Sequence, residues 1–321
     1  MSSSAVTTYA AASAADEVLA GLAGKAAAAA DSLADATDAQ LGTALSAMAD
    51  RLATAAPELA AANADDVSAA QDAGMSSALL DRLRLGPERL ADLADNLRLL
   101  AETAPMVRDV PVRALGDGLQ LIERRRPVGV IGVNYEARPN VTIDVASQLL
   151  KSRNAGVLRT GSAAIGSALA LHRHVIVPAL EAAGIDADII QVVGEPGHEF
   201  AAALVRQPTL IRLVILRGSG ETTAALGAEA ARHGVRTLAH AEGGGVLYVD
   251  SAADPATVRR LVREGTDRLG VCNRVNLVLV AEEAADRFEP LIRDELDKIG
   301  IKISAPPHDH PIGHEWALDD G

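Results

Sequence analysis

Apolar residues in the first third of the chain recur with the period of an amphipathic helix. Thr37-Asp38-Ala39-Gln40 has the spacing of a capping box, and the residues that follow on one helical face are Leu41, Leu45, Met48 and Leu52. Gly86-Pro87 opens another helix, because proline is tolerated in a first turn, and its apolar stripe is Leu90, Leu93, Leu97 and Leu100. The pattern predicts helices through residues 11–104, with stripes that face a core.

Near residue 110 the helical period gives way to strand patterns. Gly116-Asp117-Gly118 is a turn signal inside a predicted hairpin arm over residues 110–124, and Val128–Val133 has the composition of a buried strand. Beyond it, short apolar runs alternate with helical stretches. The runs are 156–158, 189–193, 213–216, 245–249 and 275–280, and the helices include 142–151, 167–183, 199–205 and 222–233. Such alternation predicts an α/β fold with a parallel sheet.

Composition and charge narrow the class of protein. The 321 residues suffice for a sizeable core and two domains, and with only 2% aromatics that core is expected to consist of Ala, Leu, Val and Ile. A net charge of −13 argues against a nucleic-acid partner, because phosphate backbones require basic surfaces. The Ala-rich start carries Asp16, Glu17 and Lys25, so we interpret it as a helix rather than a signal peptide. No apolar run approaches the ~18 residues of a membrane span. We expect a cytoplasmic protein with no membrane partner.

Cys272 is the single cysteine of the chain. One cysteine excludes a disulfide within the chain, and because no Cys/His spacing is of the ligand type, no metal site is expected. Cys272 lies in a short loop before the apolar run 275–280, where a strand can hold a thiol that faces a cleft. A lone cysteine is also common as a small buried hydrophobe. The local pattern leaves both interpretations open.

Ligands of a parallel α/β sheet bind in the loops that follow its strands. The first such loop, Arg159-Thr160-Gly161-Ser162, offers a guanidinium and hydroxyls to a phosphate. The loop Arg217-Gly218-Ser219-Gly220-Glu221 precedes a helix whose free N–H groups favour an anion, but it is not a GxGxxG fingerprint and also fits an ordinary turn. In a third loop, His240 and Glu242 form a titratable pair next to a triglycine. The alternative is that His240 is an ordinary loop histidine and the glycines only turn the chain.

The segment Asn134–Asn140 is dense in polar groups immediately after a predicted strand. The amide of Asn140 could stabilise an oxyanion, and Arg138 could pair with a carboxylate or a phosphate. The alternative for Asn140 is an N-cap that opens a helix at Val141.

The segment Arg126–Asp144, which contains Tyr-Glu-Ala-Arg-Pro-Asn-Val-Thr-Ile-Asp, resembles the signature of the γ-glutamyl phosphate reductase family nearly residue for residue. This family belongs to the aldehyde dehydrogenase superfamily. Leu150-Lys151-Ser152, Asn154-Ala155 and Leu158-Arg159 are similar to the family's next motif, and Val271-Cys272-Asn273 is similar to its nucleophile motif. The resemblance runs from about residue 10 to the end of the chain and favours the catalytic interpretation of Cys272.

The resemblance implies NADPH-dependent reduction of L-glutamyl 5-phosphate to glutamate 5-semialdehyde and phosphate, a step of proline biosynthesis. Cys272 would form a thioester and Asn140 would bind the oxyanion. The substrate-binding residues implied are Glu136, Arg138 and Asn273. The cofactor-binding residues implied are Arg159, Thr160, Gly161, Ser162, Arg217, Gly218, Ser219, Glu242 and Glu315.

The resemblance also implies an aldehyde-dehydrogenase-like organisation. Residues 1–244 would form a helical N-terminus and a Rossmann-like NADP-binding domain, with the hairpin near 110–124 serving oligomerisation. Residues 245–321 would form an α/β catalytic domain that is incomplete, because family members continue beyond the position of Gly321. The chain is then expected to be either a fragment or a natural short form, and a homo-oligomer where the C-terminal part is present.

Several residues depart from the family pattern, and we expect them around the substrate pocket, where they would alter the acid that is recognised. They are Arg153, Gly245, Val246, Leu269 and Asn276. Two alternatives therefore stay open beside the reductase. One is a relative that acts on another acyl phosphate or aldehyde, and the other is a catalytically silent nucleotide-binding or subunit-interaction protein.

Overall fold

The computed structural model describes residues 13–240, 244–267 and 274–303. The chain divides into two compact units, of which unit 1 comprises residues 1–74 and 82–239 and unit 2 comprises residues 75–81 and 240–321. Cys272, Asn273, Glu242, Leu269 and Glu315, which the sequence singles out, lie outside the described residues.

Within the described residues, helices precede the first strand, as the apolar stripes predict. They are α1 (Ala14–Asp35), α2 (Asp38–Thr54), α3 (Ala56–Asp72), α4 (Ser77–Leu83) and α5 (Pro87–Glu102). The capping box at the start of α2 is confirmed, because the Gln40 N–H donates to Thr37 Oγ1 and the Thr37 N–H donates to Gln40 Oε1. The stripe of α2 is buried throughout, and α5 begins at Pro87 as predicted.

The predicted hairpin arm is a separate two-stranded antiparallel sheet. Its strands are β1 (Asp109–Gly116) and β2 (Leu119–Arg124). Gly116, Asp117 and Gly118 all have positive φ, which is the backbone conformation that a tight turn requires and that glycine adopts without steric cost. Nearly every residue of both strands is exposed, including Val112, Leu115 and Leu119.

Unit 1 is built on a five-stranded sheet with the order β5-β4-β3-β6-β7. The strands are β3 (Val130–Asn134), β4 (Ala155–Arg159), β5 (Ile190–Val192), β6 (Ile211–Arg217) and β7 (Arg236–His240). The pairs β3–β4, β3–β6 and β4–β5 are parallel. Strands β3, β4 and β5 follow one another towards one edge of the sheet, and the chain then returns to place β6 on the other side of β3. The strand order therefore reverses beside β3, which confirms the prediction of a Rossmann-like fold.

The helices that join these strands follow the sequence prediction closely, with one break. They are α6 (Pro139–Lys151), α7 (Ile165–Leu171), α8 (Val177–Ala182), α9 (His198–Leu204) and α10 (Gly220–His233). The predicted single helix over 167–183 is interrupted by a π-helical stretch, His172–Ile176. Pro178 follows this stretch and has no N–H to donate to the preceding turn, which accounts for the widened helix.

The segment Ser162–Ala182 is long and apolar enough to pass as a membrane span by length and composition. Its apolar residues Leu171, Val175, Ile176 and Leu180 are, however, buried within the core of unit 1. A core helix passes the same test, and the packing of this one accounts for its composition.

A buried amide joins three parts of unit 1. The amide nitrogen of Asn63 donates to the Leu83 carbonyl at 2.8 Å and to Ser167 Oγ at 3.0 Å. Its amide oxygen accepts from the Leu85 N–H at 2.7 Å. Because Asn63 is only 6% exposed, each of these bonds replaces water that the side chain has lost.

Unit 2 contains a parallel strand pair and two helices in its described part. These elements are β8 (Gly245–Val249), α11 (Pro255–Thr266), β9 (Val275–Val280) and α12 (Ala285–Lys298). Phe288 is fully buried between them. Glu295 of α12 binds Arg263 at 2.8 Å and Arg259 at 2.7 Å, and these arginines lower the pKa of its carboxyl to about 2.

Candidate active site

Three polar residues meet at the carboxyl edge of the sheet in unit 1. Asn134 ends β3 and is in register with Arg159 on one side and with Leu216 on the other, so Arg159 and Arg217 flank it. This is the point at which the strand order reverses, and loops at such a point form the usual ligand crevice of an open α/β sheet. Two guanidinium groups on the strands that flank β3 make this edge suited to an anion.

Arg159 is a buried cation that binds no carboxylate of the described residues. Only 8% of the residue is exposed. Its Nη1 donates to Asn134 Oδ1 at 3.2 Å and its Nη2 donates to the Gly197 carbonyl at 2.7 Å, while Nε is buried with no partner. Burial lowers the pKa of the guanidinium and the charge of Glu199 partly opposes the change. A buried positive charge held by neutral acceptors, with one donor unused, fits an anionic group.

The next residues of this loop hold the sheet edge together. Thr160 Oγ1 donates to the Glu136 carbonyl at 3.2 Å, so its hydroxyl proton is already engaged. A side chain at Gly161 would lie 2.9 Å from the Ala137 backbone nitrogen, and only glycine permits this approach. Ser162 opens a short 3-10 turn. Of these three predicted cofactor residues, Thr160 and Gly161 serve loop-to-loop contact in this structure.

The loop after β6 presents the N-terminus of α10. Ser219 is the N-cap residue, but its side chain makes no bond to the first helical N–H groups and donates instead to Thr222 Oγ1 at 3.0 Å. The N–H groups of the first turn are thus left to solvent or to a ligand, and the helix dipole favours an anion there. Arg217 is exposed, and in the described part of the chain no acidic side chain pairs with it. The predicted phosphate-binding character of this loop therefore has a physical basis.

The segment after β3 carries compensated charges. Glu136 lies 3.3 Å from Arg138 Nε and 3.5 Å from Arg82 Nη1. A carboxylate between two arginines orients both guanidinium groups. The two predicted substrate residues, Glu136 and Arg138, are thus brought together.

Asn140 is not the N-cap of the helix, so that alternative is wrong. Helix α6 begins at Pro139 with Arg138 as its N-cap residue, which places Asn140 inside the first turn. Its amide nitrogen donates to Asp144 Oδ2 at 3.2 Å, one helical turn away. An amide nitrogen carries two protons, so one remains for a substrate oxygen.

Two residues of this segment were not identified as site residues from the sequence. Tyr135 is 3% exposed, its hydroxyl is hydrogen-bonded to Thr142 Oγ1 at 2.8 Å, and burial raises the pKa of its phenol. It anchors the loop to α6. Asp144 is partly buried, and burial raises the pKa of its carboxyl although the bond from Asn140 opposes the change. The only sequence signal was the presence of Tyr135 and Asp144 in the family signature.

In unit 2 the described residues stop on either side of the segment 268–273. Arg274 Nε donates to the Thr266 carbonyl at 3.2 Å, and Thr266 Oγ1 donates to the Val262 carbonyl at 2.6 Å. Arg274 is therefore bonded to Thr266 at the end of α11. Burial lowers the pKa of the Arg274 guanidinium, which the charge of Asp267 partly offsets.

The described departures from the family pattern occur in both units. Asn276 lies against Gly244, where any side chain on the glycine would overlap it, and Val246 is exposed on β8. Arg153 contradicts the expectation of a pocket residue. It precedes β4 and therefore lies at the amino-terminal edge of the sheet, opposite the carboxyl edge. Its guanidinium binds the Leu33 and Ala36 carbonyls and Asp38.

Among the described residues no group of three or more His, Cys, Asp or Glu side chains is arranged to hold a metal ion. The polar residues of unit 1 instead form an edge suited to an anion, with an amide donor, Asn140, in the first turn of α6.

Comparison with known proteins identifies the family of this chain. The model of the aldehyde dehydrogenase family matches residues 2–312. A γ-glutamyl phosphate reductase of Leifsonia xyli subsp. xyli is 38% identical over 85% of this chain and 64% of its own length. That of Clavibacter michiganensis subsp. michiganensis is 40% identical over 85% of this chain and 62% of its own length. The chain thus spans somewhat less than two thirds of the relatives it matches.

Solved structures are also similar to this chain. The crystal structure of γ-glutamyl phosphate reductase from Thermotoga maritima has a TM-score of 0.79 and 30% identity, covering 87% of this chain and 67% of that one. The glyceraldehyde-3-phosphate dehydrogenase GapN of Methanocaldococcus jannaschii, solved complexed with NADP, has a TM-score of 0.66 over 88% of this chain and 58% of that one; at 18% identity it bears on the fold alone. The chain therefore belongs to the aldehyde dehydrogenase family, and within it is similar to the γ-glutamyl phosphate reductases.

Proposed function

We propose that this chain carries out, or is the larger part of a protein that carries out, the NADPH-dependent reduction of L-glutamyl 5-phosphate to glutamate 5-semialdehyde and phosphate. The observation that supports this most directly is Asn140, whose amide is fixed by Asp144 in the first turn of α6. An amide held in this way is a preorganised donor for the oxyanion of an acyl-transfer reaction. The names of the similar proteins supply the glutamyl substrate.

The nicotinamide cofactor that the family implies fits the anion-binding edge of the sheet. Arg159, with its unpartnered Nε, and the uncapped N-terminus of α10 are suited to the phosphates of a dinucleotide. Arg217 would hold the additional phosphate that distinguishes NADPH from NADH. When bound, the reduced nicotinamide supplies the hydride for the reduction.

The reaction would begin at Cys272. Its thiolate would form a bond to the acyl carbon while the carbonyl electron pair moves to oxygen, where the Asn140 amide donates a hydrogen bond. Return of that electron pair would expel phosphate and leave a thioester. After reduction of the thioester carbon, Asn140 would again stabilise the oxyanion, and the sulfur would leave as thiolate to release the semialdehyde.

A free catalytic thiol also favours a cytoplasmic location, because reducing compartments keep cysteines out of disulfides. The hairpin of β1 and β2 supports assembly with a second copy of the chain. Isolated two-stranded hairpins are only marginally stable in water, and this one exposes Val112, Leu115 and Leu119. If the hairpin forms a subunit contact, Leu119→Lys should lower the mass measured by light scattering, and an unchanged mass would contradict this role.

The reverse reaction tests the proposed activity, since the semialdehyde is easier to supply than the acyl phosphate. Purified protein is mixed with glutamate semialdehyde, phosphate and NADP⁺, and NADPH absorbance is followed. We expect a phosphate-dependent signal that Cys272→Ser abolishes and that Asn140→Ala lowers by a factor of about 10²–10³, the effect of losing one oxyanion donor. Gln71→Ala removes an exposed amide elsewhere on unit 1 and should leave the rate unchanged.

The cofactor preference needs its own measurement. Arg217→Ala should weaken NADPH binding by about tenfold while leaving NADH binding nearly unchanged, because only NADPH carries the extra phosphate. Equal losses for both cofactors would refute this role of Arg217. Signal with other aldehydes but none with glutamate semialdehyde would favour a different substrate, and alkylation of Cys272 that cofactor does not slow would favour the silent alternative.

A further inference from the structure

A groove of about 350 Å³ runs between α5 and α6 within unit 1. Leu93, Leu97 and Leu100 of α5 form its apolar side. Helix α6 contributes Asp144, Ser147 and Gln148, which lie on one face because they are separated by three or four residues. The groove thus combines a leucine stripe and the amide of Asn96 on α5 with polar side chains on α6.

Among the described residues that line this groove, Asp144 is the single one with a charged side chain. Within the described ranges, no cationic side chain pairs with it, and its carboxylate accepts a hydrogen bond from the neutral amide of Asn140. Burial raises the pKa of the carboxyl, which reflects the cost of keeping a charge there without a counter-ion. A cation brought by a ligand would remove that cost.

The position of Asp144 relative to Asn140 sets the kind of ligand. The two residues are one helical turn apart, and their side chains are in contact at 3.2 Å. In a glutamyl group the ammonium is separated from the reacting carbonyl by three methylene or methine carbons, a span comparable with the helical pitch of about 5.4 Å. A substrate whose carbonyl oxygen accepts from Asn140 can therefore reach Asp144 with its ammonium.

We infer that Asp144 determines specificity by binding the ammonium of an amino-acid substrate whose distal acyl group reacts beside Asn140. The neutral donors Gln148 and Asn96 of the same groove suit the carboxylate that accompanies this ammonium. The inference deepens the proposed function and rests on it for the identity of the acyl end. It assigns to Asp144 a contact with substrate in addition to its bond with Asn140.

Ligand binding tests the ammonium site without requiring turnover. L-glutamate and glutarate differ only in the ammonium, and their dissociation constants for the full chain can be measured by ligand-observed NMR. Wild type should bind glutamate more tightly by a factor of about 10–100, the value of a hydrogen bond between charged groups. Asp144→Asn keeps the shape and should abolish the preference by weakening glutamate alone. Asp95→Asn removes an exposed carboxylate of α5 outside the groove and should leave the preference intact.

Equal binding of the two acids by wild type, or a preference that survives in Asp144→Asn, would overturn the inference. Turnover of glutamate semialdehyde and of the same aldehyde acid without its amino group supplies a second test. Asp144→Asn should raise KM for the aminated aldehyde only, whereas an equal fall in kcat on both would mean that Asp144 merely positions Asn140. Wild type that oxidises neither aldehyde would refute the proposed function, and the binding comparison would still decide the ammonium site.

Discussion

Replacing Arg153 separates two opposing effects at one residue. Arg153 follows α6 in the left-handed conformation, with φ +60°, and the bonds from its N–H to the Leu150 carbonyl and from the Asn154 N–H to the Leu149 carbonyl form a Schellman motif. Glycine is the residue that adopts this conformation without strain. Here an arginine occupies it, and its side chain is buried against the end of α1.

The strain and the contacts can be estimated separately. A left-handed conformation costs a residue with a β-carbon about 1–2 kcal/mol relative to glycine. Against this, the guanidinium donates to the carbonyls of Leu33 and Ala36. Leu33 lies in the last turn of α1 and Ala36 follows the helix, so these carbonyls would otherwise lack partners. Together these bonds contribute about 3–5 kcal/mol. The ion pair with Asp38 at 2.7 Å adds less than about 1 kcal/mol, because that carboxylate is half exposed.

We therefore expect Arg153→Ala to lower the free energy of unfolding by about 3–5 kcal/mol, because it keeps the strain and loses the contacts. Arg153→Gly should be about 1–2 kcal/mol less destabilised than the alanine variant, because it loses the backbone strain as well as the contacts of the guanidinium. Arg153→Lys, which retains the charge but not the planar fork, should fall between wild type and alanine.

Urea unfolding followed by far-UV circular dichroism measures these differences, with equal slopes required for the comparison. A glycine variant at least as stable as wild type would refute the argument that the guanidinium holds α1 to the sheet. Equal stability of the glycine and alanine variants would instead refute the strain at this position.

Three further changes test the packing and the charges. Gly156→Ala should lower the free energy of unfolding by about 1–3 kcal/mol, because its β-carbon would overlap Leu149. The control Gly227→Ala, on an open helix surface, should raise the free energy of unfolding by about 0.5–1 kcal/mol. A decrease in the urea midpoints of both variants would contradict this. Asn63→Ala should lower it by about 3 kcal/mol, since it leaves buried partners unpaired, and limited proteolysis that does not accelerate would count against the estimate. Glu295→Gln should be destabilised relative to wild type above pH 4.5, the ordinary pKa of the carboxyl. Because the folded pKa is depressed to about 2, that difference should disappear as the pH falls from 4.5 towards 2, and a pH-independent difference in urea midpoints would refute the ion-pair contribution.

Local patterns predicted most elements because each depends on residues close in sequence. The stripe of α2, the capping box at Thr37 and the turn at Gly116 are set by the helical period and by backbone conformations within a few residues. Strand β7 was missed because four of its five residues are exposed, so no apolar run marks it. The break in the helix over 167–183 depends on Pro178, whose effect falls on the preceding turn.

The sequence by itself determined the alternation of strands and helices, the loops that follow the strands, and through its signature the family; the role of Asn140 is a prediction from that signature. Only the tertiary structure decided which of these residues meet. It placed Arg153 at the amino-terminal edge of the sheet, left Arg159 buried with an unused donor, and set Asp144 in a groove beside Asn140. The physical reason is that a side chain's burial and partners come from segments distant in sequence, as with the 120 residues that separate Arg153 from the carbonyl of Leu33.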